Sequence, residues 1–283
     1  MNRKYYHDEE HMQSAQFDVL YKIGNQGYSE HLHYHEFHEL FILLRGTVDF
    51  FIENRRYSLT SGNTLFIHAK DIHHVQVKDQ QNYERLIFYI HPLFLENLAT
   101  KQSPLTAFFT FDHTPQSCLL KTNKEELLPF LSPFMLKKKT EKFGEDLKQL
   151  ADFINLMVDL NLKQHAFEKQ AVTPPRYSTL IQDVLQYIQQ NLDQPLLNEE
   201  LAQHCFVSTR HLTRAFKQET GFTLHQYILK RRLLKAHELL KSEWSITEIS
   251  NQCGFINHSH FIKAYKKEYG LTPKQHQLKM SLR

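Results

Sequence analysis

A chain of 283 residues with 41% hydrophobic and 23% charged residues has the make-up of a globular protein, not of a disordered, collagenous or membrane-spanning one, and it is long enough for two domains with a core each. The net charge of +3 excludes a uniformly basic chain that coats polyanions. It is unevenly placed, however: residues 176–283 hold 15 Lys and Arg against 9 Asp and Glu, and the residues before them 19 against 22, so only the second half suits a polyanionic partner.

The opening MNRKYYHDEEHM has no apolar core of a leader, and residues 1 to about 15 read as polar and loose. Short apolar runs follow at Phe17–Ile23, Leu40–Leu44, Val48–Glu53, Thr64–His68, His74–Lys78 and Leu86–Ile90. Gly24, Gly27, Gly46, Asn54 and Ser61-Gly62-Asn63 punctuate them, a spacing that predicts a β-sandwich or small barrel. Phe50, Phe51, Phe66, Phe88 and Tyr89 are expected to fill its core. Arg45 suits a surface ion pair or a ligand contact.

Within these strands lies the series Gly27-x5-His33-x-His35-x3-Glu39-x6-Gly46, followed by Gly62-x5-His68-x4-His73. His33 and His35, two apart on a strand, can project from one face. The series resembles the two motifs of the cupin barrel, where the positions matching His33, His35, Glu39 and His73 hold a metal. Imidazole and carboxylate donors suit Zn, Fe, Mn, Ni or Cu. The first motif matches at every position. The second departs from the pattern, with His68 in place of Pro and Lys70 in place of Gly, and it lacks the terminal Asn. The four residues are therefore read as effector-binding groups that hydrogen-bond an organic ligand without a resident metal or other cofactor. Metal ligation by the same four is the alternative.

Pro92 to about Leu98 begins a helix, residues 101–122 read as loop, and Lys124–Lys139 reads as a helix interrupted by Pro129 and Pro133. From Gly144 to about Gln164 the pattern is amphipathic. Leu147, Leu150, Ile154 and Met157 alternate steps of three and four, which predicts either packing on the chain's own barrel or the seam of an antiparallel helix pair that makes a dimer. Val172-Thr173-Pro174-Pro175 reads as a linker. The expected domains are thus 1–105, a cupin-like effector-binding barrel; 106–171, a helical connecting and dimerisation region; 172–176, the linker; and 177–283, an all-helical domain. The fold class is α+β.

Tyr177 to about Asn191 reads as a helix with the stripe Leu180, Ile181, Val184, Leu185 and Ile188. Beyond it, two similar segments stand about 49 residues apart. Leu212-x-Arg214-x-Phe216-Lys217-x3-Gly221-x-Thr223 aligns with Phe261-x-Lys263-x-Tyr265-Lys266-x3-Gly270-x-Thr272, and Leu201 to Cys205 aligns with Ile249 to Cys253. Each copy reads as a helix-turn-helix: a first helix with a small residue at the crossing, an N-cap at Ser208, an inward pair four residues apart, a basic outer face and a terminating glycine. A helix of about Thr223–Lys241 joins the copies and carries the basic cluster Lys230, Arg231 and Arg232. Thr272-Pro273 opens a last helix. Cys118, Cys205 and Cys253 stand alone, without disulfide or zinc spacing, as in a reducing cytoplasm.

Residues of about 177–279 resemble the DNA-binding domain of the AraC/XylS family of bacterial transcription regulators, in which a cupin-like sensor commonly precedes that domain. His276-Gln277 departs from the family's usual Tyr-Arg, which puts one backbone or packing contact in doubt, and Lys263 stands where Arg is common. The resemblance implies that Arg210, Thr213 and Arg214 from the first copy, and His258, Ser259, Ile262 and Lys263 from the second, face DNA bases, while Ser208, Lys217 and Lys266 touch phosphate. It further implies double-stranded promoter DNA, RNA polymerase, a small effector such as a sugar and a second copy of the chain as partners, with activation as the output and no membrane partner. No nucleotide-binding glycine loop or nucleophile triad is present, so no catalytic residue is assigned. The rival readings are a metal-dependent cupin enzyme with a DNA-binding domain, and a regulator whose barrel only dimerises.

Overall fold

The computed structural model describes residues 12–24, 33–53, 55–78, 82–109, 118–135, 142–168 and 177–281. Gly27, Asn54, Pro115, the expected linker at 172–176 and the expected helix end at 136–139 lie outside them. The chain divides into two compact units, one of residues 10–176 and one built on Tyr177–Arg283.

The first unit is a three-layered stack. Strands β1 (Phe17–Ile23), β2 (His38–Arg45), β5 (Thr64–Ile67), β7 (Glu84–Ile90) and β8 (Leu119–Leu120) form an antiparallel sheet in the order β1-β7-β2-β5-β8. Strands β3 (Thr47–Ile52), β4 (Arg55–Thr60) and β6 (His73–Val77) form a second, in the order β4-β3-β6. The apolar run of β2 explains the layering, because alternate side chains leave opposite faces of a strand. Phe41 and Leu43 join Val48, Phe50, Ile52, Tyr57 and Leu59 in the core between the sheets. Leu40, Ile42 and Leu44 point the other way, into a core shared with helices α1 (Pro92–Leu98), α2 (Lys124–Met135) and α3 (Glu145–Glu168).

Three expectations change, the first at Leu119–Leu120, which pair with β5 as β8 where a loop was expected. Strand β4 was not evident as an apolar run, because only Tyr57 and Leu59 face the core and Arg56, Ser58 and Thr60 are exposed. On α3 the buried arc is Phe153, Leu156, Met157 and Leu160. Met157, expected at a dimer seam, therefore packs in the unit's own core. At about 100° per residue, Met157 falls within about 60° of Phe153 and Leu160 and about 80° away from Leu147. Leu147 remains 64% exposed, with Leu150 and Ile154 half-buried.

The second unit is helical: α4 (Thr179–Gln190), α5 (Asn198–His204), α6 (Thr209–Thr220), α7 (Leu224–Leu239), α8 (Ile246–Gln252), α9 (His258–Tyr269) and α10 (Pro273–Ser281). The repeat is visible in its backbone. Val207 N–H donates to Ala202 O at 3.0 Å and Phe255 N–H to Ser250 O at 3.1 Å, closing equivalent turns. The longer second turn fits Ile256 in before the N-cap. Helix α7 supplies Leu233 and Ala236, and its C-cap Leu240, to a core with Ile249, Cys253, Phe261 and Tyr265. No described helix is long and apolar enough to cross a membrane.

Candidate nucleic-acid interface and barrel site

Helices α6 and α9 are built alike. Ser208 Oγ accepts from His211 N–H at 3.2 Å, and Asn257 Oδ1 accepts from His260 N–H at 3.0 Å, so each N-terminus is fixed by its cap. Gly221 and Gly270 end the helices with φ of 80° and 73°. Leu212, Phe216 and Thr220 are buried on α6, and Phe261, Ala264 and Tyr265 on α9. The opposite faces hold Arg210, Arg214 and Lys217, and His258, Ser259, Lys263 and Lys266, all exposed. Thr213 and Ile262 are half-buried instead. The Thr213 hydroxyl donates back to Thr209 O at 2.9 Å, and Ile262 packs against the second copy's core. Capping uses a lone pair of Ser208 Oγ and leaves its proton able to donate elsewhere.

The repeat also brings out positions that the motif comparison passed over. His211 and His260 are exposed at equivalent places in the first turns of the two helices. The basic cluster on α7 has a different use. Lys230 is buried in an ion pair with Glu268, Arg232 donates to Leu192 O and Gln194 O, and Arg231 lies over the Tyr227 ring. Lys230 and Arg232 thus join α7 to its neighbours, while the Arg231 contact stays within α7. The departure at His276-Gln277 is likewise absorbed. His276 Nδ1 lies 3.1 Å from Tyr265 Oη, and Gln277 Nε2 donates to Trp244 O at 2.9 Å.

In the first unit, His35, Glu39 and His73 converge, all buried, with their donor atoms within 4.8 Å of one another. His35 Nε2 lies 2.9 Å and His73 Nε2 3.4 Å from Glu39 Oε2. The His33 ring sits beside them, 4.3 Å from that of His73, and its backbone exchanges two hydrogen bonds with His73. The other ring nitrogens fix the tautomers. His35 Nδ1 lies 2.7 Å from Phe37 O and His73 Nδ1 2.8 Å from Asp71 O, and a carbonyl can only accept. Both rings thus carry a proton on Nδ1 and turn Nε2 toward the Glu39 carboxylate. His73 Nε2 is buried with no hydrogen-bond partner. Burial works to raise the Glu39 pKa, but His35 and His73 outweigh it and hold the carboxyl well below its usual range. The cluster calls for positive charge at its centre, supplied by protons or by a cation. Two imidazoles held through Nδ1 and one carboxylate are a donor set that fits a transition-metal ion. His68, from the degenerate second motif, lies apart from the three and stacks edge-on with His38.

Arg45 forms a surface ion pair, 3.7 Å from Glu84. Phe50, Phe51, Phe66 and Phe88 are buried, while Tyr89 is half-buried, 5.7 Å from the His35 ring.

A helical unit presenting two capped, basic helices, preceded by a sheet unit with a polar cluster, defines a DNA-binding protein with a ligand-binding type of N-terminal domain. Comparison with known proteins agrees. Residues 201–278 match the family model "Helix-turn-helix domain", and residues 19–133 match "AraC-like ligand binding domain". The HTH-type transcriptional activator RhaR of Escherichia coli O139:H28 is 25% identical over 79% of this chain and 78% of that protein. The HTH-type transcriptional regulator YfiF of Bacillus subtilis is 29% identical over 81% of this chain and 73% of that protein. The C-terminal domain of AraT, a response regulator from Geobacillus stearothermophilus, is 34% identical and covers 37% of this chain and 88% of that one, with a TM-score of 0.36. The chain belongs to the AraC family of DNA-binding transcription regulators. Its relatives are regulators and not enzymes.

Proposed function

We propose that this regulator is a cytoplasmic homodimeric activator that reads its promoter with α6 and α9, in successive major grooves on one face of the DNA, and that an effector bound in the N-terminal unit sets its output. The observation that carries the reading is the matched pair of exposed basic faces on two helices with the same caps and the same inward anchors. In it, Arg210, Arg214, His258, Ser259 and Lys263 face bases, with Thr213 and Ile262 at the edge of that surface. Ser208, Lys217 and Lys266 hold phosphates, which positions the helices without reading sequence. The activator sense follows the name of the relative RhaR, and contact with RNA polymerase follows from it. The effector class is a sugar or related metabolite, and His33, His35, Glu39 and His73 are the groups nearest its site. Dimerisation uses the exposed side of α3 at Leu147, Leu150 and Ile154.

Selection of binding sites from a random duplex pool by the full-length chain tests the core of this reading. The expected outcome is a bipartite site with two motifs about one helical turn apart. Recovery of unenriched duplexes would oppose it.

A further inference from the structure

We propose that His35, Glu39 and His73 bind one divalent first-row transition-metal ion, and that this ion is an effector that ties the two sheets of the N-terminal unit together. The inference rests on the reading of that unit as the effector domain. Its basis is the placement of the donors. Glu39 lies on β2 of the five-stranded sheet, His73 on β6 of the three-stranded sheet, and His35 in the segment that leads into β2. That segment is itself fastened across: Lys70 N–H donates to His35 O at 2.7 Å, and His33 N–H to His73 O at 3.0 Å. An ion at this point would be bonded to both sheets at once.

Size decides what fits. The 2.9 Å and 3.4 Å separations of the two Nε2 atoms from Glu39 Oε2 leave no room for a sugar between them. Donors bound at about 2.1 Å to one ion stand roughly 3.0–3.4 Å apart along the edges of an octahedron or tetrahedron. Imidazole favours Zn, Fe, Co, Ni, Mn or Cu over Mg and Ca, which take oxygen shells. The Nδ1 bonds to Phe37 O and Asp71 O preset both rings with Nε2 inward, as outer-shell partners of metal ligands do. Three protein ligands leave positions for His33 or for a heteroatom of a small molecule.

The test uses the full-length chain, stripped with a chelator and desalted, with Co²⁺ as the probe. Visible absorption bands of nitrogen- and oxygen-ligated Co²⁺ should saturate at one ion per chain. The melting temperature should rise by roughly 5 °C or more at hundredfold excess over the dissociation constant. Glu39→Gln and His73→Gln, which keep volume and polarity, should each weaken Co²⁺ at least about 100-fold. Both should fold in the metal-free state, as circular dichroism would read, and the exposed His225→Ala should bind Co²⁺ unchanged. Affinity for a selected duplex should shift at least about 5-fold between stripped and loaded protein. Absence of stoichiometric bands, or bands that persist in the Glu39→Gln/His73→Gln double variant, would overturn the site. Stoichiometric bands with unchanged duplex affinity would overturn the effector role. Unit-stoichiometry Co²⁺ in a chain that enriches no duplex would support the site and sink the regulator reading instead.

Discussion

In the proposed reading, single side chains divide into those that face DNA and those that hold the helices in place, and charge alone does not separate them. Arg214 and Arg232 are both Arg on helices of the second unit, yet one is exposed and the other donates to two carbonyls. Arg214→Ala is therefore expected to cost about 1–3 kcal/mol on a selected site and to relax base preference at one position. Lys217→Ala or Lys266→Ala should weaken all duplexes alike and lower the salt slope by about one. Fluorescence anisotropy across a salt series on selected and scrambled duplexes checks both, and equal losses on the two duplexes for Arg214→Ala would remove it from the base-reading set. Asp49 carries a different prediction. Burial works to raise its pKa, but hydrogen bonds from Ser58, Lys78 and Arg56 overcome this and hold it below its ordinary value. With the folded pKa depressed, its contribution is complete above about pH 4 and is lost as the pH falls through the folded value. Asp49→Asn should cost about 1–2 kcal/mol near neutrality, after allowance for the half-exposed Arg56 and Lys78, and should make denaturant midpoints fall less steeply on acidification. Parallel pH profiles for parent and variant would count against that role.

The two helix-turn-helix elements share a backbone but not its cost. Phe206 and Gly254 hold the same place after Cys205 and Cys253, with φ of 55° and 72°. A Cβ at Gly254 would stand 2.5 Å from Leu192 O, so only glycine fits, and Gly254→Ala should destabilise the helical unit by more than about 2 kcal/mol. Phe206 is exposed and keeps a strained left-handed backbone without such crowding. Phe206→Asn, which tolerates that conformation, should be neutral or stabilise by up to about 1 kcal/mol. Thermal unfolding followed by helical circular dichroism compares the two, and a large loss from Phe206→Asn would mean the ring has a packing role. Elements of this kind were legible in sequence where chemistry repeats: Ser208 and Asn257 as caps, Gly221 and Gly270 as stops, Leu212 with Phe216 as anchors. His35, Glu39 and His73 were legible by spacing. Strand β4 was hidden because an edge strand shows only two inward residues. The use of Lys230 and Arg232 was hidden because their partners lie 38 to 40 residues away in the chain. The Nδ1 hydrogen bonds of His35 and His73 have no sequence signature, since any backbone carbonyl can accept them.

At the scale of the whole molecule, the proposed dimer would meet one side of α3. Met157 is excluded, because it is fully buried with Phe153, Leu156 and Leu160 in the unit's own core. The helix still offers an apolar line at Leu147, Leu150, Ile154, Val158 and Leu162, in which Leu147 and Leu162 are each 64% exposed. Steps of three and four keep that line on one face, over a length of roughly 22 Å at about 1.5 Å per residue. At its far end Val158 and Leu162 border a groove with Pro129, Phe130 and Pro133 of α2, which Asp152, Asn155 and Asp159 also line. If a second copy covers this line, Leu147→Glu with Leu162→Glu places charge where desolvation is greatest and should weaken the dimer about tenfold or more, with little change in melting of the dilute monomer. Met157→Ala should do the opposite, costing about 2–5 kcal/mol of fold stability through the cavity it leaves. Sedimentation equilibrium across a concentration series separates the two effects. Identical association of the double variant and the parent would move the interface off α3. A dimer lost in Met157→Ala under conditions where that variant stays folded would place the core side of the helix, and not its exposed line, in control of assembly.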